Sequence, residues 1–234
     1  SETMQKLVDI FGNGDKVKPV TYKKAASKLE IKDAYKKWVE EDCSEGLVVR
    51  SELPLIYKVK PKHNIDTVVV GYTEGTGDSK GQIRTLLLAL MTGENAYQIV
   101  GKTGNGFSED QKKDMLVKLS ADVIESEYIE TDSNHVAFRM VKPQTIIEIS
   151  FNDVLFETSS SQITNPLLEI DNGRYRLKSF NKGISFIYPI FVRLRPDKTA
   201  NENDLRLSQI AEMTYIPDLG VEETGVELPK SELL

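Results

Sequence analysis

Glu45, Lys58 and Lys60 are the residue types that nucleotide-phosphate chemistry uses. Glu45-Gly46 opens a short apolar run, Leu47-Val48-Val49, and Lys58 and Lys60 stand two apart around Val59. Side chains alternate faces along a strand, so a strand here would point both lysines one way and Val59 into the core. One carboxylate beside two ammonium groups suits a site that holds a divalent metal and a nucleotide phosphate. The same residues also read as plain surface, with Glu45 ending a helix–strand turn and the lysines on an exposed face. A second concentration of charge lies late in the chain. Residues 171–198 carry Arg174, Arg176, Lys178, Lys182, Arg193, Arg195 and Lys198 against Asp171 and Asp197, a local net of +5. Such an island can bind a phosphate backbone on an otherwise acidic chain, because binding follows local potential. Arg193 and Arg195 equally fit alternating outward positions on an edge strand.

The elements that must position these residues follow from periodicity and caps. Residues 2–11 read as a helix with Met4, Leu7, Val8 and Phe11 on one stripe, ended by Gly12-Asn13-Gly14. Val17–Tyr22 reads as a strand interrupted at Pro19. Ser27-Lys28-Leu29-Glu30 is a capping box for a helix that buries Ile31, Ala34, Tyr35, Trp38 and Val39 and delivers the chain into Glu45. Thr67–Tyr72, Ile83–Leu90 and Tyr97–Val100 read as strands, with Gly75–Gly81 a hairpin connection. Ala96–Thr103 satisfies a relaxed phosphate-loop pattern, Ala-x-x-x-x-Gly-Lys-Thr, but its four middle residues read as strand and the next helix starts later, at Ser108. Ser108–Gln111 is a second capping box, heading a helix that buries Met115, Leu116 and Leu119. Strands follow at Val136–Met140 and around Ile147, Ile149 and Phe151; Asp171-Asn172-Gly173 marks a tight hairpin; Phe186–Arg195 reads as a last strand and Asn203–Met213 as a closing helix.

Composition bounds the class. A net charge of −6 over 234 residues counts against a simple basic nucleic-acid binder. With 39% hydrophobic and 28% charged residues the chain has the balance of an ordinary globular protein, and its longest apolar run, Thr85–Met91, is far short of a membrane span. Cys43 is the only cysteine, which excludes an intrachain disulfide and a thiolate metal cluster; His63 and His135 lack neighbours at ligand spacing. The start shows no basic-then-apolar signal segment. These features lead us to expect an intracellular protein, cytoplasmic, or nuclear if eukaryotic. Position 1 is not methionine, which hints at an excised fragment or a tag remnant.

Glu-Gly-Leu-Val-Val-Arg at 45–50 and Tyr-Lys-Val-Lys-Pro at 57–61 resemble the fourth and fifth nucleotidyltransferase motifs of ATP-dependent DNA ligases. Ile65–Tyr72 and Val100–Ser108 follow in family order, and Arg195-Pro196-Asp197-Lys198 is similar to the family's last motif, Arg-x-Asp-Lys. The resemblance covers residues 4–215. It implies an α+β fold: the C-terminal remnant of a nucleotidyltransferase (ATP-grasp-like) domain over 1–64, an OB-fold β-barrel with one or two helices over 65–217, and a polar tail over 218–234. It implies ATP (AMP) and Mg2+ as cofactors, nicked double-stranded DNA and the missing N-terminal part of the nucleotidyltransferase domain as partners, and no membrane. Ligation of this kind serves DNA replication, repair and recombination.

By position, the resemblance gives Glu45 a metal or nucleotide role and puts Lys58 and Lys60 on the α-phosphate. Arg195, Asp197 and Lys198 would orient the pyrophosphate leaving group, with Arg193 assisting. Lys102, at a turn, and Arg174, Arg176 and Lys178, on the late hairpin, are DNA-contact candidates. Two departures stand out: Ile187-Tyr188-Pro189-Ile190 lacks the arginines usual around that proline, and residues 157–182 exceed the usual connection, as an added DNA grip or a solvated insertion. No Lys-x-Asp-Gly occurs in the chain, so it is expected not to form enzyme-AMP alone. The alternatives are a non-catalytic OB-fold DNA-binding module and part of a related RNA ligase or capping nucleotidyltransferase; Gly-Lys-Thr-Gly-Asn-Gly-Phe-Ser favours the DNA ligase over the latter.

Overall fold

The computed structural model describes residues 2–12, 19–42, 44–51, 53–158 and 160–213. The chain forms two compact units, Ser1–Pro61 and Lys62–Leu234. Cys43, the first two residues of the expected 17–22 strand and the expected tail at 218–234 lie outside the described residues.

In the first unit, α1 spans Glu2–Phe11 and α2 spans Lys28–Tyr35, continuing into wider π-type turns over Lys36–Glu41. Ser27 Oγ accepts from the Glu30 N–H at 3.3 Å while the Glu30 carboxylate accepts from the Ala26 N–H at 3.2 Å, so the return arm of the capping box lands one residue early. Of the apolar stripe on this helix only Val39 is buried; Ile31, Ala34, Tyr35 and Trp38 are half-covered. Residues 19–22 take no regular structure, consistent with Pro19 removing a ladder donor. β1 (Leu47–Arg50) and β2 (Ile56–Val59) pair antiparallel, with Leu47 opposite Val59 and Val48 opposite Lys58.

The second unit is organised around one antiparallel sheet. In chain order its strands are β3 (His63–Glu74), β4 (Ile83–Gly93), β5 (Ala96–Thr103), then α3 (Glu109–Ser120), β6 (Arg139–Phe151), β7 (Asp153–Leu155), β8 (Thr164–Asp171), β9 (Arg174–Lys182), β10 (Ser185–Ile187) and β11 (Ile190–Leu194). Two short helices follow, α4 (Glu202–Leu205) and α5 (Gln209–Met213). The sheet order is β11-β6-β3-β4-β5-β8-β9, and β7 and β10 form a separate pair. The ends of the arc β11-β6-β3-β4-β5 meet: Asn105 bridges Ile190, the Phe191 N–H donates to Asn105 O at 2.9 Å, and Thr103 Oγ1 donates to Pro189 O at 2.8 Å. The result is a five-stranded, partly open barrel closed by one bridge rather than a full ladder, as OB folds are.

Both faces of this sheet are covered, which explains the unbroken run Leu86-Leu87-Leu88-Ala89-Leu90 in β4. Leu86, Leu88 and Leu90 join Ile147, Ile149, Phe151, Met115 and Leu119 in one core, while Leu87 and Ala89 join Phe138, Leu168, Tyr175 and Leu205 in a second. The 157–182 insertion is therefore neither a free loop nor wholly solvated. Its β8–β9 hairpin extends the sheet from β5, and Tyr175 is fully buried with its hydroxyl donating to Val141 O at 2.9 Å.

Three expected elements differ in detail. The last strand is broken into β10 and β11 because Tyr188 adopts φ +53 ahead of Pro189. The closing helix is interrupted where the Leu207 N–H donates to Met91 O at 2.9 Å. Val136–Met140 joins β6 only from Arg139; β6 then runs on to Phe151, and Pro143 is accommodated where its register against β3 jumps from Thr145 to Met140.

Candidate functional site

The β1–β2 hairpin brings the early charges together. Glu45 and Lys60 form an ion pair through Oε1 and Nζ. Hydrogen bonding from Lys60, and then the charges of Lys60 and Lys58, hold the Glu45 carboxyl below the usual carboxylate range. Gly46 allows this approach: a Cβ there would lie 2.5 Å from Val59 O and 3.1 Å from Lys60 Cγ. The Glu45 side chain is 81% exposed, and every residue of β2 is exposed. Among the described residues no group of three or more histidines, cysteines or acids is arranged to hold a metal. Glu45 can thus offer one carboxylate to a hard cation whose other ligands are phosphate and water, a common arrangement for Mg2+.

On the second unit, Arg193, Arg195 and Lys198 are held by four carboxylates, two of them, Asp66 and Glu148, distant in sequence. Arg195 Nη1 donates to both oxygens of Asp66 on β3 at 2.9 and 2.8 Å, and its Nε and Nη2 donate to Asp197 at 3.0 and 2.8 Å. Lys198 Nζ lies 3.0 Å from Asp66 Oδ2 and 3.1 Å from Asp204 Oδ1. Arg193 Nε donates to Glu148 on β6 at 2.6 Å, and Asn64 holds the other Glu148 oxygen at 2.8 Å. The hydrogen bonds from Arg195 pull Asp197 down to about 2, and those that Lys198 donates to Asp66 and Asp204 push the lysine up. Asp66 is the hub: its side chain is 10% exposed and bridges the arginine and the lysine. The backbone fixes this arrangement, because the Arg195 N–H donates to Ile146 O at 2.9 Å and the Lys198 N–H to Arg195 O at 3.2 Å.

The remaining basic candidates are paired too. Lys102 Nζ donates to Glu130 and to Thr131 O, both at 2.7 Å, and lies over the Phe138 ring at 5.6 Å. Glu130 also accepts from the Tyr128 hydroxyl; burial, reinforced by that carboxylate, pushes the Tyr128 hydroxyl up. Arg174 and Arg176 both meet Glu127, at 3.6 and 3.3 Å; Arg176 also meets Asp171 at 2.6 Å, and Lys178 meets Glu169 at 3.5 Å. The +5 stretch is therefore not a bare cationic surface, and a DNA phosphate would have to exchange with these carboxylates. Reading charge along the sequence missed Asp66, Glu148, Glu127, Glu130 and Asp204. One signal was present: Asp66 and Glu148 are single acids inside β-branched strand words, and a half-buried acid needs a partner. Ala96–Thr103 is strand β5, so no phosphate loop exists there.

The model for the ATP dependent DNA ligase C terminal region matches residues 79–198. The chain is 26% identical to a probable DNA ligase of Streptomyces griseus over 185 residues, covering 74% of this chain and 30% of that protein. It is 24% identical to a DNA ligase of Sulfolobus acidocaldarius over 216 residues, covering 85% of this chain and 34% of that protein. It thus spans about a third of the length of these curated relatives. A solved Lig E DNA ligase is similar over 83% of this chain and 56% of its own, with 16% identity and a TM-score of 0.43.

Proposed function

Because the chain belongs to the family of the ATP dependent DNA ligase C terminal region, which matches just over half of it, we propose that it works as the C-terminal part of an enzyme that seals nicks in duplex DNA through enzyme-AMP and DNA-adenylate intermediates. The observation that carries this reading is the extent of the match: it ends on Lys198 and so takes in Arg193, Arg195 and Asp197.

In this reading Lys58 and Lys60 meet the α-phosphate of ATP, where negative charge accumulates during transfer. Glu45 supplies one oxygen to Mg2+, whose role is to neutralise the phosphates. Arg195, Asp197 and Lys198 orient the pyrophosphate leaving group, with Arg193 assisting. The uncovered β1–β2 hairpin supports an N-terminal nucleotidyltransferase segment as partner, since Val48, Ile56 and Tyr57 are all more than half exposed. Lys102, Arg174, Arg176 and Lys178 are the DNA contacts, and their carboxylate partners make that contact an exchange of counter-ions.

Radiolabelled ATP tests the reading. The 234-residue chain should acquire no covalent AMP by itself, whereas fusion after a nucleotidyltransferase segment carrying Lys-x-Asp-Gly should give labelled enzyme and sealed nicks. Labelling of the chain alone, or a fusion that adenylates but whose sealing is indifferent to Lys60→Ala and Lys198→Ala, would overturn it.

A further inference from the structure

The four carboxylates around Arg193, Arg195 and Lys198 are not equivalent. Asp66 receives both cations and is nearly enclosed, whereas Asp204 is 37% exposed and belongs to the four-residue α4. Only Asp204 Oδ1 serves Lys198; Oδ2 accepts from Asn201 Nδ2 at 2.9 Å, and the Asp204 N–H donates to Asn201 Oδ1 at 3.0 Å. If Lys198 left, Asp204 would keep a partner and its water contact, so releasing it strands no buried charge. Asp66, by contrast, is held by Arg195 Nη1 at 2.9 and 2.8 Å as well as by Lys198, and sits at the enclosed end of the pair.

Lys198 also lines a cleft of about 490 Å³. Lys142 and Gln144 form one side of it, Tyr97 and Ile170 another, and Thr199 continues the wall from Lys198. Among the described residues Lys142 has no carboxylate partner. The cleft therefore joins one cation without an acid to a second held by enclosed Asp66 and by Asp204, which is 37% exposed, and the β8–β9 hairpin contributes its wall through Ile170.

We propose that Asp204 is a displaceable counter-ion of Lys198, and that a polyphosphate entering the cleft between Lys142 and Lys198 takes its place while Asp66 keeps Arg195 and Lys198 together. This rests on the reading of Lys198 as a phosphate-binding residue and adds what limits its affinity: an internal carboxylate that competes for the same ammonium. No bond is made or broken; one oxyanion replaces another.

Titration calorimetry of the 234-residue chain with inorganic tripolyphosphate at low salt tests it. Asp204→Asn keeps the Asn201 contact and removes the competing charge, so it should bind about two- to fivefold tighter than wild type, the span expected for losing one exposed ion pair. Asp204→Ala should move in the same direction, and Lys198→Ala and Lys142→Ala should each weaken binding. Unchanged or weaker binding by both Asp204 variants, with Lys198→Ala still impaired, refutes the counter-ion role and leaves the phosphate role of Lys198 standing. Tight binding that ignores Lys198→Ala, or no binding by any protein, refutes the phosphate role and the counter-ion role together.

Discussion

Gly106 sets the barrel closure, and replacing it with alanine should open the closure. It has φ +91, and an added Cβ would lie 2.4 Å from Phe191 O, 2.5 Å from Ile190 Cγ2 and 2.9 Å from Phe191 N. Two of those atoms are backbone of β11, the strand that must reach Asn105, so no rotamer change relieves the clash. Placing alanine at positive φ costs about 1 kcal/mol, and forcing a methyl into a filled site adds about 1–3 kcal/mol. The expected loss is therefore about 2–4 kcal/mol. For a unit of this size that lowers the melting midpoint by about 4–15 °C. Gly77→Ala is the control: Gly77 also has positive φ, +59, but nothing lies within 4 Å of its Cβ position, so only the backbone cost of about 1 kcal/mol applies. Far-ultraviolet circular dichroism follows the sheet, while Trp38, the chain's one tryptophan, reports the first unit and should be unaffected. Amide exchange at Phe191, whose N–H donates to Asn105 O, should accelerate in Gly106→Ala alone. Equal midpoints for the two variants would mean that the β5–β11 contact does not close the barrel.

Asp66→Asn removes the hub charge under Arg195 and Lys198 and should cost about 2 kcal/mol in urea unfolding; Arg193→Ala, whose side chain is 61% exposed, should cost less than about 1 kcal/mol, and the reverse order would refute the hub. Acid should destabilise the second unit in a set window. The hydrogen bonds of Arg193 on Glu148, of Arg195 on Asp197 and of Asn201 and Lys198 on Asp204 depress these carboxyls in the fold, Asp197 to about 2, so the unfolded chain binds protons first. Their stabilisation is complete above the unfolded values of about 4–4.5 and is lost as pH falls from there toward about 2; a urea midpoint that already declines between pH 7 and 6, or holds to pH 2, contradicts it. Glu127→Gln removes the acid that Arg174 meets and leaves Arg176 with Asp171 alone, so it should tighten binding to nicked duplex and steepen its salt dependence by about one; unchanged gel shifts across salt would remove that hairpin from the DNA surface.

Much of this fold is legible locally. The Ser108 box forms in full, with the Gln111 N–H on Ser108 Oγ and the Ser108 N–H on Gln111 Oε1, because both arms lie within four residues. Asn172 and Gly173 take φ +50 and +77, the primed turn that Asn-Gly favours. The strand reading of Ala96–Thr103 holds against a phosphate-loop pattern because three of its four middle residues, Tyr97, Ile99 and Val100, are apolar and all four are buried. What is not legible is who meets whom across the barrel. Arg195 and Asp66 stand 129 residues apart, and Lys102 finds Glu130 across a loop of irregular structure. A count of charges along the chain sees the cations of residues 171–198 and cannot see the acids that β3, β6 and α4 bring to them.

That pairing changes what phosphate binding can mean for this chain. A bare cationic patch gains Coulomb energy from any anion and discriminates poorly. Here Arg193, Arg195 and Lys198 already face Asp66, Glu148, Asp197 and Asp204, so a ligand gains only the difference between its own oxyanions and the carboxylate it replaces. A monophosphate meeting one exposed lysine gains little by that exchange. Under the proposed exchange at Asp204, a chain of phosphates would meet Lys198 and Lys142, which line one cleft, and would return more than the Asp204 contact held. Under that exchange the acids would lower affinity for every anion and lower it least for those with several linked charges, which would favour the triphosphate end of a nucleotide over a single backbone phosphate.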